Sequence, residues 1–151
     1  MDVSHLTGAD SDADSRSVTT ADINGDGMQD LLVRSSGGGA VQVFLNRITP
    51  QHWLKVSLRG SQSNSLGIGA RLVATVGNRD IPRQLYPVGC FRAQQPSHVY
   101  FGLSSAEKVD SLTITWPSGK TQVLKDVVSN RHILIREGSD KIEPIAPTKH
   151  Q

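Results

Sequence analysis

The stretch that decides the fold is residues 17–33, which read Ser-Val-Thr-Thr-Ala-Asp-Ile-Asn-Gly-Asp-Gly-Met-Gln-Asp-Leu-Leu-Val. Oxygen-bearing side chains stand at positions 1, 3, 5 and 9 of one loop, namely Asp22, Asn24, Asp26 and Asp30. Calcium takes roughly six to eight oxygen ligands, and these side chains with the Met28 carbonyl at position 7 supply most of them. Gly25 and Gly27 are free to adopt the positive φ angles that fold such a loop back on itself. The spacing predicts a Ca²⁺ site, and the alternative is a metal-free turn, because Asn, Asp and Gly are ordinary turn residues.

The residues on either side of this loop indicate its kind. An EF-hand needs a glutamate at position 12 and a helix on each side, but position 12 is Val33 and the flanks are strand formers. The loop is therefore predicted to join two β-strands. It resembles the FG-GAP and VCBS repeats of β-propeller proteins, whose Asp-x-Asn-x-Asp-Gly-x-x-Asp loop binds calcium between strands. The resemblance covers about residues 17–46, which is one repeat, whereas a propeller needs several four-stranded blades.

Composition favours an all-β protein. The 151 residues leave room for one ordinary core or two small ones. Fourteen glycines, seven prolines and an aromatic content of 5% are typical of a chain with many turns. No apolar run approaches the roughly 18 residues of a membrane span. The N-terminus lacks a basic and then apolar signal segment, so we expect a secretory signal to be absent or already removed.

The charge is unevenly distributed. Residues 1–30 hold seven Asp against one Arg, whereas residues 31–151 hold fifteen Lys and Arg against seven acids. The basic residues are spread singly along predicted strands, which favours a solvated surface over a binding site for an acidic polymer. We expect no nucleic-acid partner. The single cysteine, Cys90, excludes an intramolecular disulfide, and its apolar neighbours predict a buried thiol.

Alternating residues predict a second domain after Pro50, where proline interrupts strand pairing. One face carries Leu54, Val56 and Leu58, and the opposite face carries Trp53. Further on, the pattern turns Trp116 inward and Thr115 outward. The predicted architecture is a polar lead-in with a partial propeller-type calcium repeat at 1–49, a small antiparallel β-sandwich or barrel at 50–138, and a flexible tail at 139–151. A single helical turn is predicted at 104–109.

Several motifs of this second domain occur together in order. They are Asn64 followed by Gly67-Ile68-Gly69-Ala70-Arg71, then Phe101-Gly102-Leu103, Val109-Asp110, Trp116-Pro117-Ser118-Gly119, Gln122 and Asn130. The order resembles the ASPIC/UnbV domain of cartilage acidic protein and its bacterial relatives, over about residues 53–137. The resemblance implies a domain that closes the C-terminal end of an FG-GAP/VCBS propeller, an extracellular or cell-surface setting and no established reaction. Residues 89–95 depart from the pattern, because they read Gly-Cys-Phe-Arg-Ala-Gln-Gln where Gly, an aromatic residue and Ser-Gln are expected.

Signatures of catalysis are missing from the sequence. The five histidines stand apart without zinc-ligand spacing, Gly67-Ile68-Gly69 lacks the third glycine of a dinucleotide loop, and no Gly-x-Ser-x-Gly motif occurs. We read the glycine pair instead as a strand entrance with close backbone approach. The prediction is therefore a protein that is not an enzyme, and an unrecognised enzymatic activity is the alternative.

Two functional classes remain open. The first is a calcium-binding extracellular or cell-surface module that binds a glycan or a matrix protein; the second is a structural propeller cap that contacts other proteins, with self-association through open strand edges. For the first class the candidate ligand-binding residues are Asn64, Arg71, Arg92, Gln94, Gln95 and His98. These polar side chains could equally serve ordinary loop hydrogen bonding. An exposed row of aromatic residues would favour a glycan, and Trp53 and Tyr86 are the candidates.

Overall fold

A computed structural model describes residues 14–36, 39–49, 51–91 and 93–146 of the chain. These residues form eleven β-strands and no helix, which confirms the all-β prediction. The chain divides into two compact units, Met1–Pro50 with Val88–Gln95, and Gln51–Pro87 with Pro96–Gln151. The helical turn predicted at 104–109 is wrong, because strands end and begin within that segment.

The first unit is built on a three-stranded antiparallel sheet. Its strands are β1 (Ser15–Ala21), β2 (Asp30–Ser35) and β3 (Gln42–Phe44), in the order β1-β2-β3. The β1/β2 pair places Ala21 opposite Asp30, so the predicted ligand loop joins the two strands at one end of the sheet, as expected. Cys90 also lies in this unit and is half-buried, so the buried-thiol prediction is wrong. Its sulfur accepts the N–H of Val18 at 3.3 Å, so this backbone N–H of β1 has a hydrogen-bond acceptor.

The second unit is a β-sandwich of two four-stranded sheets. One sheet has the order β11-β10-β4-β7 and the other β6-β5-β8-β9. The strands are β4 (His52–Arg59), β5 (Arg71–Val76), β6 (Arg79–Gln84), β7 (His98–Ser104), β8 (Lys108–Thr115), β9 (Thr121–Val128), β10 (Arg131–Arg136) and β11 (Ile142–Ile145). Side chains that alternate inward along both sheets form one core, centred on Leu54, Leu72, Phe101, Ile114 and Trp116. The sandwich alternative of the prediction is therefore confirmed.

Two features of this sandwich differ from the expected antiparallel arrangement with a free tail. Strands β4 and β10 pair in parallel, with Leu54 opposite Arg131, so the first sheet is mixed. The alternation of apolar and polar residues shows which face of a strand is buried, but it does not show which strands pair. Strand β11 occupies part of the segment predicted as a flexible tail, and pairs with β10. It includes Pro144, which is tolerated because β11 is an edge strand.

The glycine pair at the entrance of β5 confirms the close approach expected from the sequence. Gly67 has a φ of 66°, and a Cβ added there would lie 2.9 Å from Leu58 Cβ and 3.3 Å from Trp116 Cζ3. Glycine is the residue that fits both the backbone conformation and the space.

A buried carboxylate, that of Glu137, joins three loops of the sandwich. Its Oε2 accepts the backbone N–H groups of Ser61, Gln62 and Ser63 at 2.8–2.9 Å. Its Oε1 accepts the hydroxyls of Ser63 at 3.1 Å and of Ser118 at 2.6 Å. Burial alone would raise the pKa of this carboxyl, but the hydrogen bonds outweigh it and lower the pKa to about 2.

Candidate functional site

The loop between β1 and β2 is folded around its own side-chain oxygens. Asp22 accepts the N–H of Gly25 at 2.8 Å through Oδ1 and the N–H of Gly27 at 3.0 Å through Oδ2. Both glycines have positive φ angles, 76° and 85°, which turn these N–H groups towards the carboxylate. Asp22, at position 1 of the predicted ligand set, therefore stabilises the folded conformation of its own loop.

Positions 3 and 5 add to the same hydrogen-bond network. Asn24 Oδ1 accepts the N–H of Asp26 at 3.1 Å, and Asn24 Nδ2 donates to Asp26 Oδ2 at 2.8 Å. Asp26 Oδ1 accepts the N–H of Met28, also at 2.8 Å. Both Asn24 and Asp26 are exposed. Their oxygens are held near the loop backbone while one side of each stays open to solvent.

Position 9 has a different environment. Asp30 is fully buried, and its two oxygens accept the N–H groups of Ile23 at 2.9 Å and of Asn46 at 2.7 Å. It therefore ties the start of the loop to the segment after β3. This structural role was not evident from the sequence, because Asn46 is distant along the chain and its position depends on the β2/β3 hairpin.

The chemistry of these donors fits a hard cation. Each side-chain oxygen of Asp22, Asn24, Asp26 and Asp30 accepts one of the N–H contacts described above, and such an oxygen has a second lone pair. Within the described residues, no group of three or more His, Cys, Asp or Glu side chains is clustered closely enough to hold a metal. A calcium site here would therefore depend on the amide and a backbone carbonyl as well as on carboxylates.

The candidate ligand-binding residues that the structure describes belong to different elements of the chain. Gln94 and Gln95 belong to the first unit, and Arg92 lies outside the described residues. Asn64 closes a loop of the sandwich, with its Oδ1 accepting the Ile68 N–H at 2.8 Å and its Nδ2 donating to the Ile68 carbonyl at 2.7 Å. Arg71 is exposed at the start of β5, whereas His98 begins β7 in the other sheet.

His98 is part of a polar and aromatic surface on the β11-β10-β4-β7 sheet, which we call the outer face. The inward residues of β4 and β7 are buried, so Trp53, Lys55 and Ser57 alternate outward, as do His98, Tyr100 and Gly102. Strand β10 adds His132, whose Nε2 lies 2.8 Å from the Ser57 hydroxyl. Trp53 was predicted to point away from the core, and its half-buried position confirms this.

The sequence did not predict that Tyr100 would lie beside Trp53, or that His132 would lie opposite Lys55. Pairing of β4 with β7 and β10 brings these residues together, and alternation does not show which strands pair. Asn130 fixes the backbone of Trp53, because its Oδ1 accepts the Trp53 N–H at 3.2 Å and its own N–H bonds to the Trp53 carbonyl at 2.6 Å. The start of β4 is thereby held in place.

The two outer-face histidines stack edge to face, with ring centroids 5.9 Å apart. Burial, the charge of Lys55 and the neighbouring His132 lower the pKa of His98 to about 4. Burial and Lys55 likewise lower the pKa of His132 to about 4. Both imidazoles are therefore neutral at pH 7 and can serve as hydrogen-bonding groups there.

Comparison with known protein families identifies matches for both parts of the chain. Residues 60–142, more than half of the chain, match the family described as ASPIC and UnbV. The chain belongs to the ASPIC and UnbV family. Residues 16–45 match the FG-GAP repeat, so the ASPIC/UnbV domain follows one such repeat, as the sequence motifs indicated. No curated protein matches the chain.

The two families together fit an extracellular or adhesion type of module, and both are generally non-catalytic. FG-GAP repeats are often calcium-binding and typically extracellular. Over the described part of this ASPIC/UnbV chain, no helix is long and apolar enough to cross a membrane.

Proposed function

We propose that this ASPIC/UnbV chain is a non-catalytic, calcium-binding interaction module of the extracellular space or the cell surface, with a glycan as its ligand. The observation that carries the proposal is the loop of residues 22–30. There, the oxygens of three aspartates and one asparagine each accept an N–H of the loop or of Asn46, so they already stand along one folded loop. Convergence of these oxygens on one cation would complete a Ca²⁺ site in this loop.

Calcium would relieve repulsion in this loop. Asp22 and Asp26 belong to one short turn, in which Asp22 accepts the Gly27 N–H and Asp26 accepts the Met28 N–H, and their like charges repel each other. Calcium tolerates the irregular geometry of a strand-to-strand loop better than Mg²⁺ does. With three formal charges and no glutamate at position 12, we expect an affinity in the micromolar to millimolar range, on the order of the weak extracellular sites.

The first prediction is that calcium raises the melting temperature. Binding to the folded state alone stabilises it by mass action, so the wild-type midpoint should be higher in millimolar CaCl₂ than in EGTA. Asp26→Ala should remove most of this difference and leave the midpoint in EGTA near that of the wild type, because Asp26 is exposed. Differential scanning calorimetry in both buffers measures both effects.

Asp30→Ala shows how much a predicted ligand contributes to the fold itself. It leaves the N–H groups of Ile23 and Asn46 without their acceptor and should cost about 1–3 kcal/mol in total already in EGTA, where no calcium is bound. A wild-type midpoint that does not change between EGTA and calcium would favour the metal-free turn and contradict the calcium part of the proposal.

The glycan part of the proposal has a separate test. The full chain, labelled and kept in calcium, is applied to an array of cell-surface and matrix glycans, and the array is repeated in EGTA. Binding to a related set of glycans supports the proposal. An array without any bound glycan, given a chain that melts cooperatively, would contradict it.

One observation favours a second function, that of a structural cap in contact with other proteins. Strand β3 is an edge strand of the three-stranded sheet, and apolar side chains on it or next to it are exposed, including Val41 at 53% and Val43 at 49%. Open strand edges and exposed apolar residues are features of surfaces that pair with another chain. Sedimentation equilibrium of Val43→Lys against wild type tests this function: a concentration-dependent dimer that the substitution abolishes would support it.

A further inference from the structure

We propose that the outer face of the β11-β10-β4-β7 sheet binds a uronate-containing glycan, with a sugar ring over Gly102 beside Trp53 and Tyr100 and its carboxylate at Lys55. The proposal rests on the glycan-binding function proposed above and names both the surface and the class of sugar. It does not involve the calcium loop.

The first argument is an open space beside two aromatic rings. Trp53 and Tyr100 have ring centroids 6.0 Å apart and ring planes within 13° of each other. Trp53 stands opposite Gly102 in the β4/β7 register, where the face carries no side chain. A Cβ added at Gly102 would meet no atom within 4 Å. The face therefore has an open space over Gly102, next to the half-buried side chains of Trp53 and Tyr100, and we call this space the hollow.

A sugar ring matches the chemistry of this hollow. The C–H groups on one side of a pyranose form an apolar face that packs on an aromatic ring, while its hydroxyl groups point sideways. Tyr and Trp combine apolar area with a polar group, which suits such an amphipathic ligand. The Ser57 hydroxyl and the neutral imidazoles of His98 and His132 continue the face along the strands and supply hydrogen-bonding groups.

The second argument is charge. Lys55 is two residues from Trp53 on the same face, about 7 Å along the strand, and is directly opposite Tyr100. It forms no ion pair with a carboxylate of the described residues. Glu143 on β11 is paired with Arg136, whose Nε donates to Oε1 at 3.0 Å and whose Nη2 donates to Oε2 at 3.3 Å. Lys55 is thus available to an anion, and a uronate places its carboxylate one bond from the sugar ring.

The test measures binding of short uronates to the full chain in calcium buffer by isothermal titration calorimetry. The probes are tetramers of hyaluronan and of galacturonate, each compared with the same tetramer after its carboxyl groups are reduced to alcohols. We expect at least one uronate to bind the wild type, and its reduced form to bind roughly tenfold more weakly.

Three substitutions examine the face separately. Trp53→Ala should weaken binding of the uronate by roughly tenfold or more, as expected for an aromatic anchor. Gly102→Val keeps the aromatic pair but fills the hollow, and valine suits a strand, so it should weaken binding as strongly while the chain still folds. Lys55→Gln should reduce uronate affinity to that of the reduced tetramer and leave the reduced tetramer unaffected. Thr115→Ala, exposed at the end of β8 in the other sheet, is the matched control and should bind as wild type does.

The outcomes separate this inference from the proposed function. A uronate that binds Trp53→Ala and Gly102→Val as tightly as wild type would leave the glycan function in place and overturn the assignment of this face. Equal affinity for uronate and reduced tetramers would overturn the role of Lys55 and the class of sugar. Glycans that fail to bind in both the array and the titrations, or a protein as the sole ligand of this face, would overturn the inference together with the glycan function.

Discussion

Replacing Trp116 with alanine is expected to lower the free energy of unfolding by about 3–5 kcal/mol, the range for large-to-small changes in a core. The indole is 2% exposed and lies in the core of the sandwich. It also donates from Nε1 to Gln122 Oε1 at 3.1 Å. The same oxygen accepts the N–H of Gly138 at 3.1 Å, and Gln122 Nε2 donates to the Ser139 carbonyl at 2.6 Å. Truncation would therefore leave a cavity and disturb the connection to the chain after β10.

Urea denaturation of Trp116→Ala and Thr115→Ala checks this expectation. Thr115 is adjacent in sequence but exposed, so its substitution should change the midpoint little. Equal shifts for the two variants would mean that the inward face of β8 has been assigned wrongly.

The second large effect is expected at Glu137. Glutamine at this position has the same shape, but it loses the charge, and the amide nitrogen that replaces one carboxylate oxygen cannot accept. We expect Glu137→Gln to lower the melting temperature at pH 7 more than Ser118→Ala does. Ser118→Ala removes one donor to the carboxylate, whereas Glu137→Gln weakens five hydrogen bonds at once.

The effect of Glu137 should depend on pH in a defined direction. Its pKa is about 2 in the folded protein against an ordinary value of 4.5. The stabilisation is therefore complete above pH 4.5 and is lost as the pH falls towards 2. Melting temperatures of wild type and Glu137→Gln should differ most at neutral pH and converge below pH 4.5. A difference that stays constant down to pH 2 would contradict the role of the charge. Titration of His98 and His132 affects both proteins alike, so the comparison isolates Glu137.

The residues that sequence patterns predicted correctly are those whose environment is set by their own strand. Alternation turned Trp116 inward and Trp53 outward because successive side chains on a strand point to opposite faces. The close approach at Gly67 was predicted from the glycine pair and is confirmed by its distances to Leu58 and Trp116. In the same way, the strand-forming flanks of the 22–30 loop predicted the β1/β2 hairpin.

The features that the sequence did not predict depend on neighbours distant along the chain. The two hydrogen bonds accepted by Asp30 include one from Asn46, which lies after β3. The open space over Gly102 lies beside Trp53 only because β4 pairs with β7. The sequence predicts a tail where β11 lies, because Pro144 is unfavourable in most strands, but an edge strand tolerates proline. Each of these depends on which strands pair, and alternation carries no information about pairing.

The parallel pairing of β4 with β10 has a consequence for how the sandwich is assembled. Its first strand lies next to a strand from the other end of the domain, and the two hydrogen bonds between Trp53 and Asn130 join residues 77 positions apart. Closing so long a segment costs chain entropy before the contact contributes, and such topologies fold slowly. During synthesis β4 can pair with β7 first, but its pairing with β10 must wait until residue 136 has left the ribosome, so we expect this sheet to be completed late.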